Sequence, residues 1–222
     1  MLVRVYVWEW PVRFTHWVNA ISIISLCVTG IYIGTPFLYA PPGESVMSIM
    51  RFLHFVAAYL FTASFWLRIY WFFVGNQYSR WADFIPLTQR QWKGIMGDIK
   101  FYLFLDRDLH HRAGHHLLAA FTYLGLFFFF HLEIVTGFAL ASMSHHGWLY
   151  NLMLGGWYLP YISSQTLRLI HHLIMWLVIV FVMFHIYIGW FIDIVEKNAG
   201  ISSIFSGYKI LDESEIHSDR SR

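Results

Sequence analysis

The sequence predicts an all-α integral membrane protein that folds as a four-helix bundle. Of its 222 residues, 58% are hydrophobic and only 13% are charged, whereas soluble domains carry about 25% charged residues. The mean hydropathy is +0.52. Four segments exceed the ~20 apolar residues that a membrane-spanning helix needs. We name them spans I to IV, and they cover about residues 14–38, 47–74, 115–143 and 167–195.

The positions of lysine and arginine predict the orientation of the spans. All fifteen of these residues except Arg51, Arg68 and Arg168 lie before span I, between spans II and III, or after span IV. Because positive residues concentrate on the cytoplasmic side of membrane proteins, we expect both termini and the loop between spans II and III in the cytoplasm. No clustered basic face indicates nucleic acid as a partner, so the expected surroundings are the lipid bilayer and other proteins.

The loop between spans II and III contains a helical pattern of its own. Apolar residues recur at helical spacing against polar ones: Trp92, Ile95, Met96, Ile99 and Leu103 against Lys93, Asp98 and Lys100. This pattern predicts an amphipathic helix from about residue 88 to 105 on the cytoplasmic membrane surface. We expect residues 1–211 to form a single transmembrane domain and residues 212–222 to form a short polar tail.

Four histidines fall at two depths of the predicted bundle. His16 begins span I on the inner side, and His54 lies early in span II, which begins on the outer side. His171 and His185 are 14 residues apart in span IV, so a helix brings them to within roughly 40° of one another and about 21 Å apart along its axis. The expected pairs are therefore His54 with His171 near the outer face and His16 with His185 near the inner face.

Two imidazoles at each level match the axial ligands of a six-coordinate haem iron, which is suited to electron transfer. We therefore predict an inner haem on His16 and His185 and an outer haem on His54 and His171. Such histidines can instead form hydrogen bonds between helices. Four of them at matched depths favour metal ligation, because each polar group in hydrocarbon carries a free-energy cost that a function must offset.

Arginines recur near these histidines. One stands three residues before each of three histidines: Arg13 before His16, Arg51 before His54, and Arg168 before His171. Since residues three apart are neighbours on a helix surface, each guanidinium is expected one turn nearer to water, where haem propionates would emerge. Snorkelling at helix ends is the alternative. Arg68, 14 residues after His54, is a candidate for the inner propionate, for quinone, or for snorkelling.

Several longer motifs extend from about residue 7 to residue 208. They are Arg13–Trp17 followed by Thr29-Gly30, the segment Arg68–Arg80, Gly137–Leu140, and Arg168–Leu173 followed by Trp176, Phe181 and His185. With these motifs the chain resembles the b-type cytochrome subunit of membrane-bound nickel–iron hydrogenases. That subunit belongs to a wider group of four-helix di-haem quinone reductases, which includes the formate dehydrogenase gamma subunit.

The resemblance implies an electron-transfer subunit of an oxidoreductase complex in the bacterial inner membrane. Such a subunit anchors the periplasmic small and large hydrogenase subunits. It takes electrons from the iron–sulfur relay of the small subunit through two b haems and reduces quinone, either menaquinone or ubiquinone. Near the inner haem, Asn19, His115 and His116 are the candidate hydrogen-bond partners of quinone. No side chain is predicted as a catalytic residue beyond these binding groups.

Two other functions remain open on the sequence. A formate dehydrogenase gamma subunit would share the same fold and haem ligands. A transporter of metal ions or protons would also place ionisable residues inside the spans, as with His131 and Glu133 in span III. These two residues have a further possible role, which is hydrogen bonding to a neighbouring helix or to a partner's membrane anchor.

Overall fold

The computed structural model describes residues 1–37, 45–81, 84, 89–103, 105, 117–143, 147, 162–196 and 199–212. In chain order its elements are β1 (Leu2–Tyr6), α1 (Trp10–Gly34), α2 (Val46–Val74), α3 (Gln89–Tyr102), α4 (Leu117–Ser142), α5 (Ser164–Glu196), α6 (Gly200–Ser206) and β2 (Tyr208–Asp212). The chain divides into two compact units. The first contains Met1–Leu124 and Tyr187–Arg222, and the second contains Gly125–Ile186.

Helices α1, α2, α4 and α5 are each long and apolar enough to cross a membrane. They confirm the predicted all-α fold with four spans, although the ends of the first span differ from the prediction. Helix α1 begins at Trp10 because Pro11 in its first turn is compatible with a helix start. It ends at Gly34, where Thr35 is extended (φ −145°, ψ 91°), since a residue before proline avoids the helical region.

The predicted helix between spans II and III is present as α3. Its apolar residue Ile95 is buried, whereas Trp92 and Met96 are about half exposed. Asp98 differs from its expected place on the polar face because it is only 2% exposed. The Leu118 backbone N–H donates to Asp98 Oδ2 over 3.1 Å, so this carboxylate satisfies one of the N–H groups that the first turn of α4 leaves unpaired.

A two-stranded antiparallel sheet, which the sequence pattern does not predict, joins the segment before α1 to the segment after α6. Strand β1 pairs with β2 in a register that sets Leu2 opposite Asp212 and Tyr6 opposite Tyr208. Because β1 directly precedes α1 and β2 closely follows α5 and α6, the N-terminal and C-terminal segments lie on the same side of the membrane. This placement requires an even number of spans.

The sheet and α6 enclose a small core of their own. Val7, Trp8 and Leu211 are all buried there. The Trp8 indole donates to Ser203 Oγ on α6 over 2.9 Å. The backbone N–H groups of Val7 and Trp8 both donate to the Gly207 carbonyl, over 2.8 and 3.0 Å.

One carboxylate connects the beginning of α1 with the end of α2. Glu9 Oε2 accepts hydrogen bonds from the Trp71 indole (2.8 Å), the Asn76 backbone N–H (2.7 Å) and the Ser79 hydroxyl (3.2 Å). The Asn76 side-chain amide also donates to the Val7 carbonyl over 2.9 Å. The loop after α2 therefore lies beside the N-terminal segment, and α1 and α2 run antiparallel.

The second unit is formed by α4 and α5 from residue 125 to residue 186. Its buried contact centres on Ala139 (0% exposed) and Leu167 (3%). A small residue at such a contact lets two helices approach closely, which is typical of helix packing in membranes.

We expect Gly207→Ala to destabilise the first unit. Gly207 has φ +90°, and an added Cβ would lie 2.6 Å from Tyr6 Cε2 and 2.8 Å from the Trp8 carbonyl oxygen. A side chain in the left-handed region costs about 1–2 kcal/mol before any clash is counted. The unfolding temperature in detergent should fall. Gly189→Ala is the control, because nothing lies within 4 Å of its added Cβ, and equal unfolding temperatures for both variants would contradict this account.

Candidate haem-binding residues

His16 and His54 lie towards opposite ends of the paired helices α1 and α2. At one end, the Ser64 hydroxyl of α2 donates to the carbonyl of Thr15, the neighbour of His16, over 3.3 Å. At the other end, His54 contacts Thr29 of α1. Thr29 lies thirteen positions after His16 in α1, which corresponds to about 20 Å along the helix axis. These two histidines therefore occupy two levels of the first unit.

His54 is partly buried and contacts a threonine on the neighbouring helix. Its Nδ1 lies 2.9 Å from the Oγ1 of Thr29. The same hydroxyl lies 2.6 Å from the Ser25 carbonyl oxygen, one turn earlier in α1. Thr29 is thus a bridge between its own helix backbone and the imidazole of α2.

His171 has an equivalent contact in the second unit. Its Nδ1 lies 3.0 Å from the Oγ1 of Thr136 on α4, and that hydroxyl lies 2.8 Å from the Leu132 carbonyl oxygen. A carboxylate oxygen of Glu133 lies 3.3 Å from the same Nδ1. The other oxygen, Oε2, is buried and has no hydrogen-bond partner among the described residues.

A glycine makes room for the His171 ring. A Cβ on Gly137 would lie 3.2 Å from His171 Cε1, which is closer than most such contacts allow. The adjacent His172 bonds to its own helix, because its Nδ1 lies 2.7 Å from the Arg168 carbonyl oxygen. Of these two neighbouring histidines, His171 is therefore the one that α4 holds in the second unit.

The inner-level histidines lie among aromatic rings. His16 meets Trp17 edge to face with ring centroids 5.2 Å apart. His185 stacks on Phe181 with centroids 5.6 Å apart and an interplanar angle of 14°. Both histidines are partly buried.

Two polar residues flank His16 on its face of α1, three residues before it and three residues after it. The Arg13 Nη1 group donates to the Phe205 carbonyl, while its Nε is buried. The amide oxygen Oδ1 of Asn19 is also buried. Neither Arg13 Nε nor Asn19 Oδ1 has a hydrogen-bond partner in the part of the chain that the structure describes.

The other predicted arginines differ in their surroundings. Arg51 and Arg168 are exposed, each one turn before its histidine. Arg68 is 7% exposed, with its guanidinium 4.3 Å from the Phe72 ring centroid and 5.6 Å from that of Phe84. Its predicted role with a propionate or with quinone stays a prediction. His115 and His116, the other quinone candidates, lie outside the described residues.

The surroundings of His54 and His171 fit haem ligation. A histidine that binds a metal through one ring nitrogen almost always has the other nitrogen hydrogen-bonded, and His54 and His171 both meet this condition at Nδ1. The orphaned polar atoms of Arg13, Asn19 and Glu133 are the kind that a bound polar group satisfies. The pairing of His54 with His171 and of His16 with His185 stays a prediction from depth.

The two threonines were missed as functional residues in the sequence analysis. A threonine in a membrane helix ordinarily bonds to its own backbone, so its presence indicates little. A signal was nevertheless available, because Thr29-Gly30 and Thr136-Gly137 repeat the same dipeptide in spans I and III.

Comparison with known proteins identifies the family. The profile of the family described as prokaryotic cytochrome b561 matches residues 7–207. The chain belongs to this cytochrome b561 family. It is therefore an integral membrane cytochrome of b type, and its cofactor is haem b.

Several relatives of this cytochrome have names of one kind. A probable Ni/Fe-hydrogenase B-type cytochrome subunit of Rhizobium leguminosarum bv. viciae is 40% identical, over 95% of this chain and 91% of the relative. The subunit of the same name from Bradyrhizobium diazoefficiens is 43% identical, over 91% and 85%. The probable Ni/Fe-hydrogenase 1 B-type cytochrome subunit of Escherichia coli K12 is 35% identical, over 92% and 90%.

We expect Gly137→Ala to reduce the haem content of this cytochrome. The added methyl group forces the His171 ring to shift by a few tenths of an ångström, which takes up much of the roughly 0.5 Å of displacement that a binding site tolerates in its ligands. The reduced-minus-oxidised visible spectrum per polypeptide measures the loss. Gly125→Ala on the same helix is the matched control, since nothing lies within 4 Å of its added Cβ. Equal haem content in the two variants would show that the close approach is unimportant.

Proposed function

We propose that this chain is the membrane anchor and electron-transfer subunit of a respiratory uptake hydrogenase in the bacterial inner membrane. In this role it receives electrons from the iron–sulfur relay of the hydrogenase small subunit at its outer face. The electrons pass through two b haems and reduce quinone near the inner face. Haem b supplies a one-electron couple at each level, and the protein supplies the axial imidazoles and their orientation.

The observation that carries the two-haem path is the separation of His16 from His54 along α1 and α2. A distance of about 20 Å along the axis is compatible with one histidine near each boundary of a hydrocarbon core about 30 Å thick. Helix α5 supplies two further histidines, His171 and His185, at a matching separation. We therefore assign His54 and His171 to the outer haem and His16 and His185 to the inner haem.

The proposed partner rests on the names of the relatives. Relatives that match nine-tenths of this chain are named as subunits of nickel–iron hydrogenases, and these names favour a hydrogenase over a formate dehydrogenase. The cytochrome family likewise favours electron transfer over ion transport. We assign the partner surface to the outer face, because the charge distribution favours cytoplasmic termini and the proposed hydrogenase subunits are periplasmic.

The proposed quinone position is beside His16 at the inner level. The buried Asn19 Oδ1, which has no hydrogen-bond partner among the described residues, is the acceptor available there. Arg13 Nε lies on the same helix face and is a buried donor that also has no hydrogen-bond partner among the described residues. Arg13, Arg51, Arg168 and Arg68 remain the proposed partners of the haem propionates, and His115 and His116 remain quinone candidates.

The two haems should be separately removable. We expect His54→Ala or His171→Ala to eliminate the outer haem and His16→Ala or His185→Ala to eliminate the inner one, each with a loss of about half of the haem b per polypeptide, because an iron without both axial imidazoles is weakly held. Redox-resolved spectra of the purified hydrogenase–cytochrome complex distinguish the two components.

His172→Ala is the control for the histidine variants, because His172 bonds to its own helix and both haems should remain. The pairing is wrong if the two changes within one pair remove different spectral components. A complex that purifies with formate dehydrogenase subunits instead of hydrogenase subunits would replace the proposed partner.

Turnover should build a membrane potential that is negative on the cytoplasmic side. Hydrogen oxidised outside releases two protons and two electrons there, and quinone reduced at the inner face takes up two protons from the cytoplasm. Each electron therefore crosses against the potential, at about 2.3 kcal/mol per 100 mV. Proteoliposomes that contain the whole complex, hydrogen, a quinone and a potential-sensitive dye measure this. Quinone reduction without any potential would place the quinone near the outer haem.

A further inference from the structure

We propose that Thr29 and Thr136 are positioning residues that fix the tautomer of the two outer haem ligands, and that Glu133 adds a carboxyl acceptor at His171. This inference rests on the proposed function, in which His54 and His171 bind the outer haem iron. It assigns roles to three side chains that neither the sequence motifs nor the names of the relatives assign.

The direction of the Thr29 hydrogen bond follows from the count of protons. A threonine hydroxyl has a single proton to donate and two lone pairs that accept. The Oγ1 of Thr29 lies 2.6 Å from the Ser25 carbonyl oxygen, and two oxygens at that distance need a proton between them. The hydroxyl proton therefore points to Ser25, and His54 Nδ1, 2.9 Å away, must be the donor.

The same reasoning applies to Thr136. Its hydroxyl lies 2.8 Å from the Leu132 carbonyl oxygen, so its proton is directed along α4. His171 Nδ1, at 3.0 Å, then donates to the Thr136 oxygen. In both units a threonine that bonds to its own helix presents a lone pair to a histidine of another helix.

A proton on Nδ1 leaves the lone pair of a neutral imidazole on Nε2. Of the two ring nitrogens, Nε2 is the one farther from the histidine backbone, and the lone pair is what binds an iron. The threonines thus select the tautomer that ligates through Nε2, and they hold the plane of each ring. This arrangement matches the outer hydrogen bond that metal-bound histidines generally make.

Glu133 makes the two ligands chemically unequal. Its Oε1 lies 3.3 Å from His171 Nδ1, so the Nδ1 proton of His171 lies between a hydroxyl and a carboxyl oxygen. His54 instead contacts the hydroxyl of Thr29 at the corresponding nitrogen and forms a hydrogen bond with the backbone of Leu26, so its partners are neutral groups. A carboxyl acceptor increases the basicity of the imidazole more than an amide does, and a more basic ligand stabilises the ferric state of a haem iron.

Thr29→Val and Thr136→Val test the positioning role because valine keeps the shape of threonine and removes the hydroxyl. In the purified hydrogenase–cytochrome complex we expect the outer haem to be released 10- to 100-fold more readily, as is typical when such a hydrogen bond is removed. The low-spin electron paramagnetic resonance signal of the outer haem should shift as its ligand planes rotate. The inner haem should keep its signal and its occupancy.

Two further threonines serve as matched controls. The Thr62 hydroxyl on α2 donates to the Ala58 carbonyl over 2.7 Å, and the Thr122 hydroxyl on α4 donates to the Leu118 carbonyl over 2.8 Å. Both have the helix-backbone bond of Thr29 and Thr136, and neither forms a hydrogen bond to a histidine among the residues that the structure describes. Thr62→Val and Thr122→Val should leave both haems unchanged, and Thr136→Ser, which keeps the hydroxyl, should retain the outer-haem signal.

Glu133→Gln tests the inequality of the two ligands. An optical redox titration should show that the outer haem is easier to reduce. At a given potential its ferrous-to-ferric ratio should rise about tenfold, which corresponds to an increase of about 59 mV in the midpoint potential of a one-electron couple. The inner haem should titrate as in the unsubstituted complex. Because glutamine keeps the size of glutamate, this variant is informative even where a valine variant fails to assemble.

Different results would contradict the roles of the two threonines and Glu133 and the assignment of the haem ligands. If His54→Ala and His171→Ala remove the same haem, yet Thr29→Val, Thr136→Val and Glu133→Gln give the same potentials and resonance signals as the controls, the threonine and glutamate roles are wrong and the haem assignment stands. If the two histidine variants remove different haems or none, the haem assignment itself is wrong and the inference fails with it.

Discussion

This structure depends on one constraint: inside the hydrocarbon of a membrane, a polar group must form its hydrogen bond within the protein. Backbone groups satisfy it by forming helices, which is why the apolar segments can span the membrane at all. Polar side chains within the helices satisfy it by donating to a carbonyl one turn earlier, as in Thr15, Ser25, Thr29, Thr62, Thr122 and Thr136. In Thr29 and Thr136 the oxygen also reaches a histidine of another helix, so the local solution to the membrane constraint becomes part of the proposed haem site.

At the end of the first unit that contains the two-stranded sheet, polar groups find their hydrogen-bond partners by a different means. Glu9 accepts three hydrogen bonds from the end of α2 and its following loop, and β1 pairs with β2. These contacts set how α1 and α2 begin and end relative to one another. Since His16 lies two turns into α1 and Arg68 lies near the end of α2, this network also determines the surroundings of the proposed inner haem level.

The four spans were predictable because hydropathy is a property of a segment and needs no partner. The end of α1 is predictable in principle from Pro36, although the predicted span begins and ends four residues later than the helix. The sheet was not predictable, because β1 and β2 are short and lie about two hundred residues apart, and strand pairing leaves no mark in either segment alone. Asp98 was misassigned for a similar reason: its partner is the backbone of Leu118, and a pattern of side chains gives no indication of a backbone donor.

The histidines of the proposed site were predictable because depth in a membrane follows from position along a span. Their hydrogen-bond partners were not, since the contact between Thr136 and His171 depends on how α4 and α5 rotate against each other. Gly137 explains part of that rotation, because the absence of a side chain lets the imidazole lie against α4. Glu133 lies one turn before this glycine on the same helix. From the sequence, an ionisable residue inside a span was compatible with transport or with contact to a partner's anchor. The structure gives Glu133 a specific neighbour, His171 Nδ1. In the proposed site, the cost of holding this carboxyl group in the membrane is offset because the haem ligand His171 gains a strong hydrogen-bond acceptor.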